Sequence, residues 1–261
     1  MHAGWERDLA VAVAAAREAG AQALAMQGGI TADLKADGTP VTAGDRASDA
    51  VIRHVLTQHA PGDGLLSEED DADARGGRTW IVDPIDGTSG YLAGGDDWCV
   101  QIGLAIDGRA VLGVLDLPRQ SVRLSGVVGI GAWIEDAGGS RPLRAPDQRL
   151  DRLVTSTGRR NPAMIAAVLA AFPEFATSHV NSVGVKAWHL LGGRADLYVH
   201  ARPISAWDVA GPAAVLIAAG ATATDQAGRT LVLGGRHQPC PGLVASVRRD
   251  HAALAARLDG I

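Results

Sequence analysis

The segment Trp80-Ile-Val-Asp-Pro-Ile-Asp-Gly-Thr88 constrains this chain more than any other. Its apolar start reads as a buried strand, and it closes on two acids three residues apart. Charge at the end of a buried strand needs a compensating partner. Pro84 withholds a backbone donor and ends the ladder there. Gly87 permits a tight turn or a close backbone approach. Asp83 and Asp86 therefore emerge at the end of a sheet, where sites are commonly built. A hard cation such as Mg²⁺ takes oxygen ligands, often one or two carboxylates together with a substrate phosphate. The backbone N–H groups of Gly87 and Thr88 suit the phosphate itself.

Two other segments end in acids. Glu68-Glu69 follows the apolar pair Leu65-Leu66, and Trp207-Asp208 opens a helix-like run, where the helix dipole favours an acid. Taken singly, each has an ordinary explanation. An Asp-Pro pair makes a turn, the acids around Glu68 to Asp73 make a solvated run, and Asp208 caps a helix. Together they supply carboxylates from three separated stretches. No Ser-centred G-x-S-x-G turn is present, which argues against a covalent hydrolase.

Composition narrows the choice further. Of 261 residues, 47% are hydrophobic and 20% charged, as in globular chains, which argues against disorder. The net charge is -5, so binding a nucleic acid polymer by neutralising phosphates is not expected. Aromatics at 4% supply little for stacking single strands. Cys99 and Cys240 are the only cysteines and form no CxxC, which speaks against a zinc site or disulfide scaffold. The Ala-rich run Leu9 to Ala25 contains Arg17 and Glu18, so a soluble helix is expected there and not a membrane span. The start of the chain shows no secretory pattern, and a cytoplasmic location is expected.

Along the chain, Gly4 to Met26 has helical spacing and stops at Gly28-Gly29. Thr42 is placed to cap a second helix running to about His59. Short apolar runs of strand type follow at Leu65-Leu66, 80–82, 100–106, 110–115 and 122–128, with Asp107-Gly108 as a hairpin turn. This half reads as a helix pair covering a largely antiparallel sheet. Beyond it strands and helices alternate: strands at 153–156, 195–200 and 243–247, helices at 162–171, 183–191, 206–219 and 249–258. That alternation points to α/β layering. The expected organisation is an N-terminal α+β half, residues 1–145, carrying most of the acids, and a C-terminal α/β half, residues 146–261, completing the site. Residues 225–261 carry no recognisable motif.

These residues resemble the inositol monophosphatase family, the Mg²⁺-dependent, lithium-sensitive phosphatases. The family pattern D-P-[IL]-D-G-T is met in full by Asp83 to Thr88. Glu68-Glu69 matches the paired acids upstream, although the family's preceding Gly is Ser67 here. Trp207-Asp208-Val209-Ala210 with Ala219-Gly220 matches the downstream W-D-x-A pattern. Lys35, Asp37, Pro40, Val41, Thr42 and Asp45 match the early K-x-D-x-x-P-V-T-x-x-D stretch. The motifs run in order from about residue 5 to 225. The resemblance implies a layered αβαβα sugar-phosphatase fold of the α/β (α+β) class. It implies Glu68, Asp83, the Ile85 carbonyl, Asp86 and Asp208 as ligands for two or three Mg²⁺ ions, with Mn²⁺ able to substitute. Asp45 and Thr88 would orient or deprotonate the attacking water, with Glu69 beside them as the third catalytic group. The amides of Gly87 and Thr88 would hold the phosphate. A homodimer is a further expectation from the family.

Within the family, Gly94-Gly-Asp-Asp-Trp98 and Leu66-Ser-Glu-Glu69 look most like CysQ-type 3'(2'),5'-bisphosphate nucleotidases. The stretch Tyr198 to Trp207 lacks the Glu with which inositol phosphatases bind sugar hydroxyls. It offers His200 and Arg202 instead, which suit a second anion. Ser182 and Lys186 fall in a segment resembling the family's G-S-x-x-x-K, with Asn181 in place of Gly, and are expected to meet substrate. The expected substrate is thus a small phosphate ester, 3'-phosphoadenosine 5'-phosphate first. Inositol 1-phosphate or another sugar phosphate, and histidinol phosphate, are the alternatives. A catalytically weak protein that binds phosphorylated ligands is the non-enzyme alternative.

Overall fold

Small residues at every buried position of its inner face let helix α1 (Trp5–Met26) approach its neighbours closely: Ala12, Ala15, Ala16, Ala19 and Ala23 are fully enclosed, and Gly20 is buried among them. In the computed structural model, which describes residues 4–29, 31–35, 38–70, 77–147, 149–157 and 161–261, this face packs on helix α2 and a large sheet. By length and composition α1 is apolar enough to cross a bilayer, but its alanine face is occupied here by protein.

A short hairpin, β1 (Ala32–Leu34) and β2 (Pro40–Thr42), leads into α2 (Ala43–His59). Thr42 caps α2 as the sequence predicts, its hydroxyl accepting from the Gly44 and Asp45 amides. Then come β3 (Gly64–Ser67), β4 (Arg78–Asp86), the short helix α3 (Thr88–Leu92), β5 (Cys99–Ile106), β6 (Arg109–Leu117), β7 (Val122–Val127), β8 (Gly131–Asp136) and β9 (Gly139–Leu143). Among the described residues, β3 to β9 form one sheet in sequence order, antiparallel except for the β3–β4 pair. The Asp107-Gly108 hairpin is present, with φ of 49 and 73 at the two residues, as a type I′ turn requires.

The second half contains β10 (Arg152–Thr155), α4 (Pro162–Ala171), β11 (Ala176–His179), α5 (Val183–Leu191), β12 (Leu197–His200), α6 (Ala206–Ala218), β13 (Thr222–Thr224), β14 (Leu243–Ser246) and α7 (His251–Ala256). Its sheet has the order β11-β10-β12-β14-β13. Helices α5 and α6 lie between the two sheets, α1 and α2 outside the large one, and α4 and α7 outside the small one. These are the five layers of an α/β αβαβα fold. Strands β9 and β11 were not apparent from patterning because their residues are almost all exposed and show no alternation.

What seats α6 is a stripe of glycines. Gly103, Gly113 and Gly126 are directly paired across β5, β6 and β7. A methyl group on Gly103 would lie 2.6 Å from the Ala210 Cβ, and one on Gly113 would lie 3.0 Å from the Ala214 Cβ. The missing side chains make a groove for the helix that carries Asp208.

On the α1 side, Arg17, Glu135, Arg123 and Asp116 form a chain of ion pairs. Asp116 is 4% exposed, and burial drives its carboxyl up to about 6 despite Arg123 at 2.8 Å. The unfolded value is near 3.8. An acid raised in the folded state contributes stability that is complete below about pH 4 and lost as pH rises through about 6. The difference is worth about 3 kcal/mol at 1.36 kcal/mol per pH unit. Asp116→Asn is therefore expected to gain stability relative to the parent between pH 4 and 7, whatever its constant offset from the altered Arg123 contact. Urea midpoints across that range test this, and parallel curves for the two proteins would refute it.

Candidate metal centre and active site

In a regular strand, residues three apart point to opposite faces. Strand β4 escapes this at its end. Asp83 pairs with Gln101 and Asp86 with Cys99, so β4 spends three residues where β5 spends two. The extra residue, at Pro84-Ile85, is a bulge that turns both carboxyls to one side. The Asp83 side chain accepts from the Ile85 amide at 3.1 Å, which fixes the bend.

Asp208, in the first turn of α6, meets them there. One carboxylate oxygen from each of Asp83, Asp86 and Asp208 lies within 4.8 Å of the other two. Asp83 and Asp86 are buried and Asp208 is half-buried. Burial first, then the neighbouring carboxylates, raises the pKa of Asp83 and of Asp208 far above the ordinary range. Asp86 is raised too, chiefly by burial, against the pull of its hydrogen bonds. Three acids forced together in a low-dielectric setting are unfavourable unless a cation joins them. The donor set is all oxygen, which fits Mg²⁺ or Mn²⁺.

Glu68 and Glu69 stand at the exit of β3. Lys35 Nζ lies 2.8 Å from Glu68 Oε1 and 2.6 Å from Glu69 Oε1. Burial lifts the Glu69 carboxyl to about 7, with Lys35 opposing. Glu68 stands outside the group of three converging carboxylates, but its charge adds to burial in raising the Asp83 pKa. Lys35 was only a motif position in the sequence; the structure gives it a task, holding the paired acids. Ser67, where the family has Gly, donates its hydroxyl to Asp49 at 2.5 Å and accepts from the Glu69 amide at 3.2 Å. Asp37 of the early motif lies outside the described residues.

Asp45 is buried, one oxygen accepting from the Thr42 amide at 2.8 Å and hydroxyl at 2.5 Å. Its other oxygen is 3.5 Å from Thr88 Oγ1, which also lies 3.3 Å from the Ile85 carbonyl. Burial raises the Asp45 pKa, against the Thr42 bonds. Thr88 begins α3, and Gly87 before it has φ 95.

The second half of the chain reaches the site through α5. Ser182 caps this helix, accepting from the Val185 amide at 3.1 Å. It donates to Asp86 at 2.6 Å, and the Gly184 amide donates to the same oxygen at 2.9 Å. Asp97 holds this turn in place, accepting from the Asn181 amide at 2.8 Å and the Ser182 amide at 3.0 Å. The sequence marks Asp97 only as part of the Gly94-Gly-Asp-Asp-Trp98 segment and gives it no role, because an acid before a helix dozens of residues away leaves no spacing to read. Ser182 and Lys186, expected to meet substrate, are both fully enclosed. The Ser182 hydroxyl is on Asp86, and the Lys186 ammonium donates to the Asn181 carbonyl at 2.7 Å over the Tyr198 ring. Burial brings Lys186 down to about 8. Arg202 is exposed between β12 and α6. His200, half-buried at the end of β12, is pushed down to about 4 by burial first, with the charges of Lys186 and Arg202 adding to the shift.

Comparison with known proteins fits this geometry. A profile of the inositol monophosphatase family matches residues 4–260. The chain is 34% identical over 201 residues to the 3'(2'),5'-bisphosphate nucleotidase CysQ of Escherichia coli, covering 76% of this chain and 80% of that one. It is 42% identical to a histidinol-phosphatase of Mycobacterium tuberculosis, but over 113 residues, 43% of each chain. The structure of an inositol monophosphatase from Anabaena superposes with a TM-score of 0.80 at 27% identity, covering 98% of this chain and 97% of the other. The chain belongs to the inositol monophosphatase family, and it is a metal-dependent phosphatase.

Proposed function

We propose that the chain hydrolyses a small phosphate monoester with Mg²⁺ in the cytoplasm, and that it removes the 3'-phosphate of 3'-phosphoadenosine 5'-phosphate. The observation that carries the metal part is the convergence of Asp83, Asp86 and Asp208 from β4 and α6. Those three, with Glu68 and the Ile85 carbonyl, would hold two or three Mg²⁺ ions, Mn²⁺ substituting. Bound divalent cations would supply Lewis-acid stabilisation of the charge on the phosphoryl oxygens. The residues do the rest. Thr88 and Asp45 hold the attacking water between them, and Asp45, its pKa raised by burial, accepts the proton. Glu69, paired with Lys35, keeps Glu68 in place. The Gly87 and Thr88 amides bind the phosphate. Ser182 acts through Asp86.

For the substrate, the support is the stretch Tyr198 to Trp207, which has no acid ahead of Asp208 and carries the exposed Arg202. A second phosphate suits that setting better than the hydroxyls of a cyclitol. The Gly94 to Trp98 segment and the match to CysQ point the same way. Histidinol phosphate is the second reading, favoured by the 42% identity over part of the chain. Phosphate release from the bisphosphate, inositol 1-phosphate and histidinol phosphate, with Mg²⁺ and with chelator, tests both parts. The bisphosphate is expected to turn over fastest, and only with metal. Faster turnover of either alternative overturns the substrate, and full activity in chelator overturns the metal.

A further inference from the structure

Residues 225–261 carry no motif, yet one side chain from this stretch reaches the site. Arg236 stacks its guanidinium on the Trp207 indole, 4.9 Å from the ring centroid. Its Nη2 also donates to the main-chain carbonyls of Ser67 and Asp70 and lies 3.4 Å from that of Glu68. Trp207 immediately precedes Asp208, and Ser67 to Asp70 brackets Glu68 and Glu69. A single cation thus ties together two distant segments that both carry site carboxylates.

The loop that presents Arg236 is itself pinned. The Leu233 amide donates to the Gly108 carbonyl at 2.8 Å, at the β5–β6 turn. Cys240 and Ile204 exchange amide–carbonyl bonds of 2.8 and 2.9 Å just ahead of α6. Where β3 ends, the Ser67 carbonyl accepts a long bond, from the Asp70 amide at 3.5 Å, and buried or half-buried carbonyls need donors. A guanidinium can fill this role while stacking, because its five donors lie in the plane and its face is left free. A lysine here would present one nitrogen with no planar face to lay on the indole, so it could not match the same set of contacts.

We propose that Arg236 is a positioning residue of the metal centre, fixing the Glu68 segment relative to Asp208 and so setting cation affinity. The inference rests on the metal reading above. Partners one step removed from metal ligands typically change affinity 10- to 100-fold when lost. The test is a titration of the full chain with Mn²⁺, following free Mn²⁺ by electron paramagnetic resonance, beside thermal unfolding in chelator. Arg236→Gln is expected to weaken Mn²⁺ binding about tenfold or more, while its unfolding temperature in chelator stays close to that of the parent. Trp207→Leu, which removes the stacking platform, is expected to shift affinity in the same direction. A merely structural role would lower the unfolding temperature without changing the affinity of the folded fraction, and that result overturns the proposal. If Arg236→Gln does not fold, Arg236→Lys decides: weaker Mn²⁺ binding supports the proposal and parental affinity overturns it. A parent chain that binds no Mn²⁺ overturns the metal reading and this inference together, whereas a parent that binds and variants that match it overturn the inference alone.

Discussion

Asp86→Asn is expected to lower phosphate release about a thousandfold or more while making the metal-free protein no less stable. The two effects have one cause. One Asp86 oxygen accepts from Ser182 at 2.6 Å and Gly184 at 2.9 Å, leaving the other for the shared cluster. An amide of the same shape keeps the packing but removes the charge. Charge stabilisation by a bound cation is worth several kcal/mol in the transition state, and each 1.36 kcal/mol is tenfold in rate. Without metal the same charge is a burden, since burial has already raised the Asp86 pKa and Asp86 in turn raises that of Asp208. Removing one of three clustered negative charges relieves the other two. Phosphate release and thermal unfolding in chelator measure the two halves. Undiminished turnover would show that Asp86 holds no catalytic metal.

Gly87→Ala is the second large effect, and it acts through the backbone. Gly87 has φ 95, a region in which an L-residue is strained by about 1–2 kcal/mol. Space is lacking as well: a methyl group would press on the Asp97 main-chain carbonyl and come within 3.1 Å of the Ser182 Cβ. The carbonyl belongs to the loop whose side chain clamps the start of α5, so it cannot yield without disturbing Ser182 and Asp86. Gly94 supplies the contrast. Its φ is 71, but a methyl group there meets nothing within 4 Å. Gly94→Ala is expected to cost about 1 kcal/mol of stability and to keep its activity. Gly87→Ala is expected to lose several kcal/mol and to fall at least a hundredfold in turnover. Denaturant unfolding and phosphate release for the pair check this; equal losses in both variants would contradict it.

Much of the fold was legible because its long elements have strong local signals. The alanine run of α1, the Thr42 cap of α2 and the Asp107-Gly108 turn each rest on a few neighbouring residues. The grouping of Asp83, Asp86 and Asp208 was legible for a different reason: no single acid stood out, but acids closing separated stretches of chain together resembled a family pattern. Other features stayed hidden because they exist only across space. The glycine stripe under α6 is three single residues on three strands, and nothing in their spacing announces a groove. Asp97 and Arg236 work on the main chain of remote segments, and main-chain partners leave no trace in a side-chain pattern. Lys35 was visible as a residue but not as the partner of Glu68 and Glu69. Ser182 was read for its likeness to a substrate-binding segment, while its surroundings direct its hydroxyl to Asp86.

Crystals soaked in Mn²⁺ and recorded near the manganese edge put the account to its sharpest test. Anomalous peaks are expected at coordination distance, about 2.1 Å as for comparable hard cations, from Asp83, Asp86 and Asp208, with Glu68 and the Ile85 carbonyl completing the set. Peaks elsewhere, or carboxylates that stay together with no ion between them at saturating Mn²⁺, would contradict it.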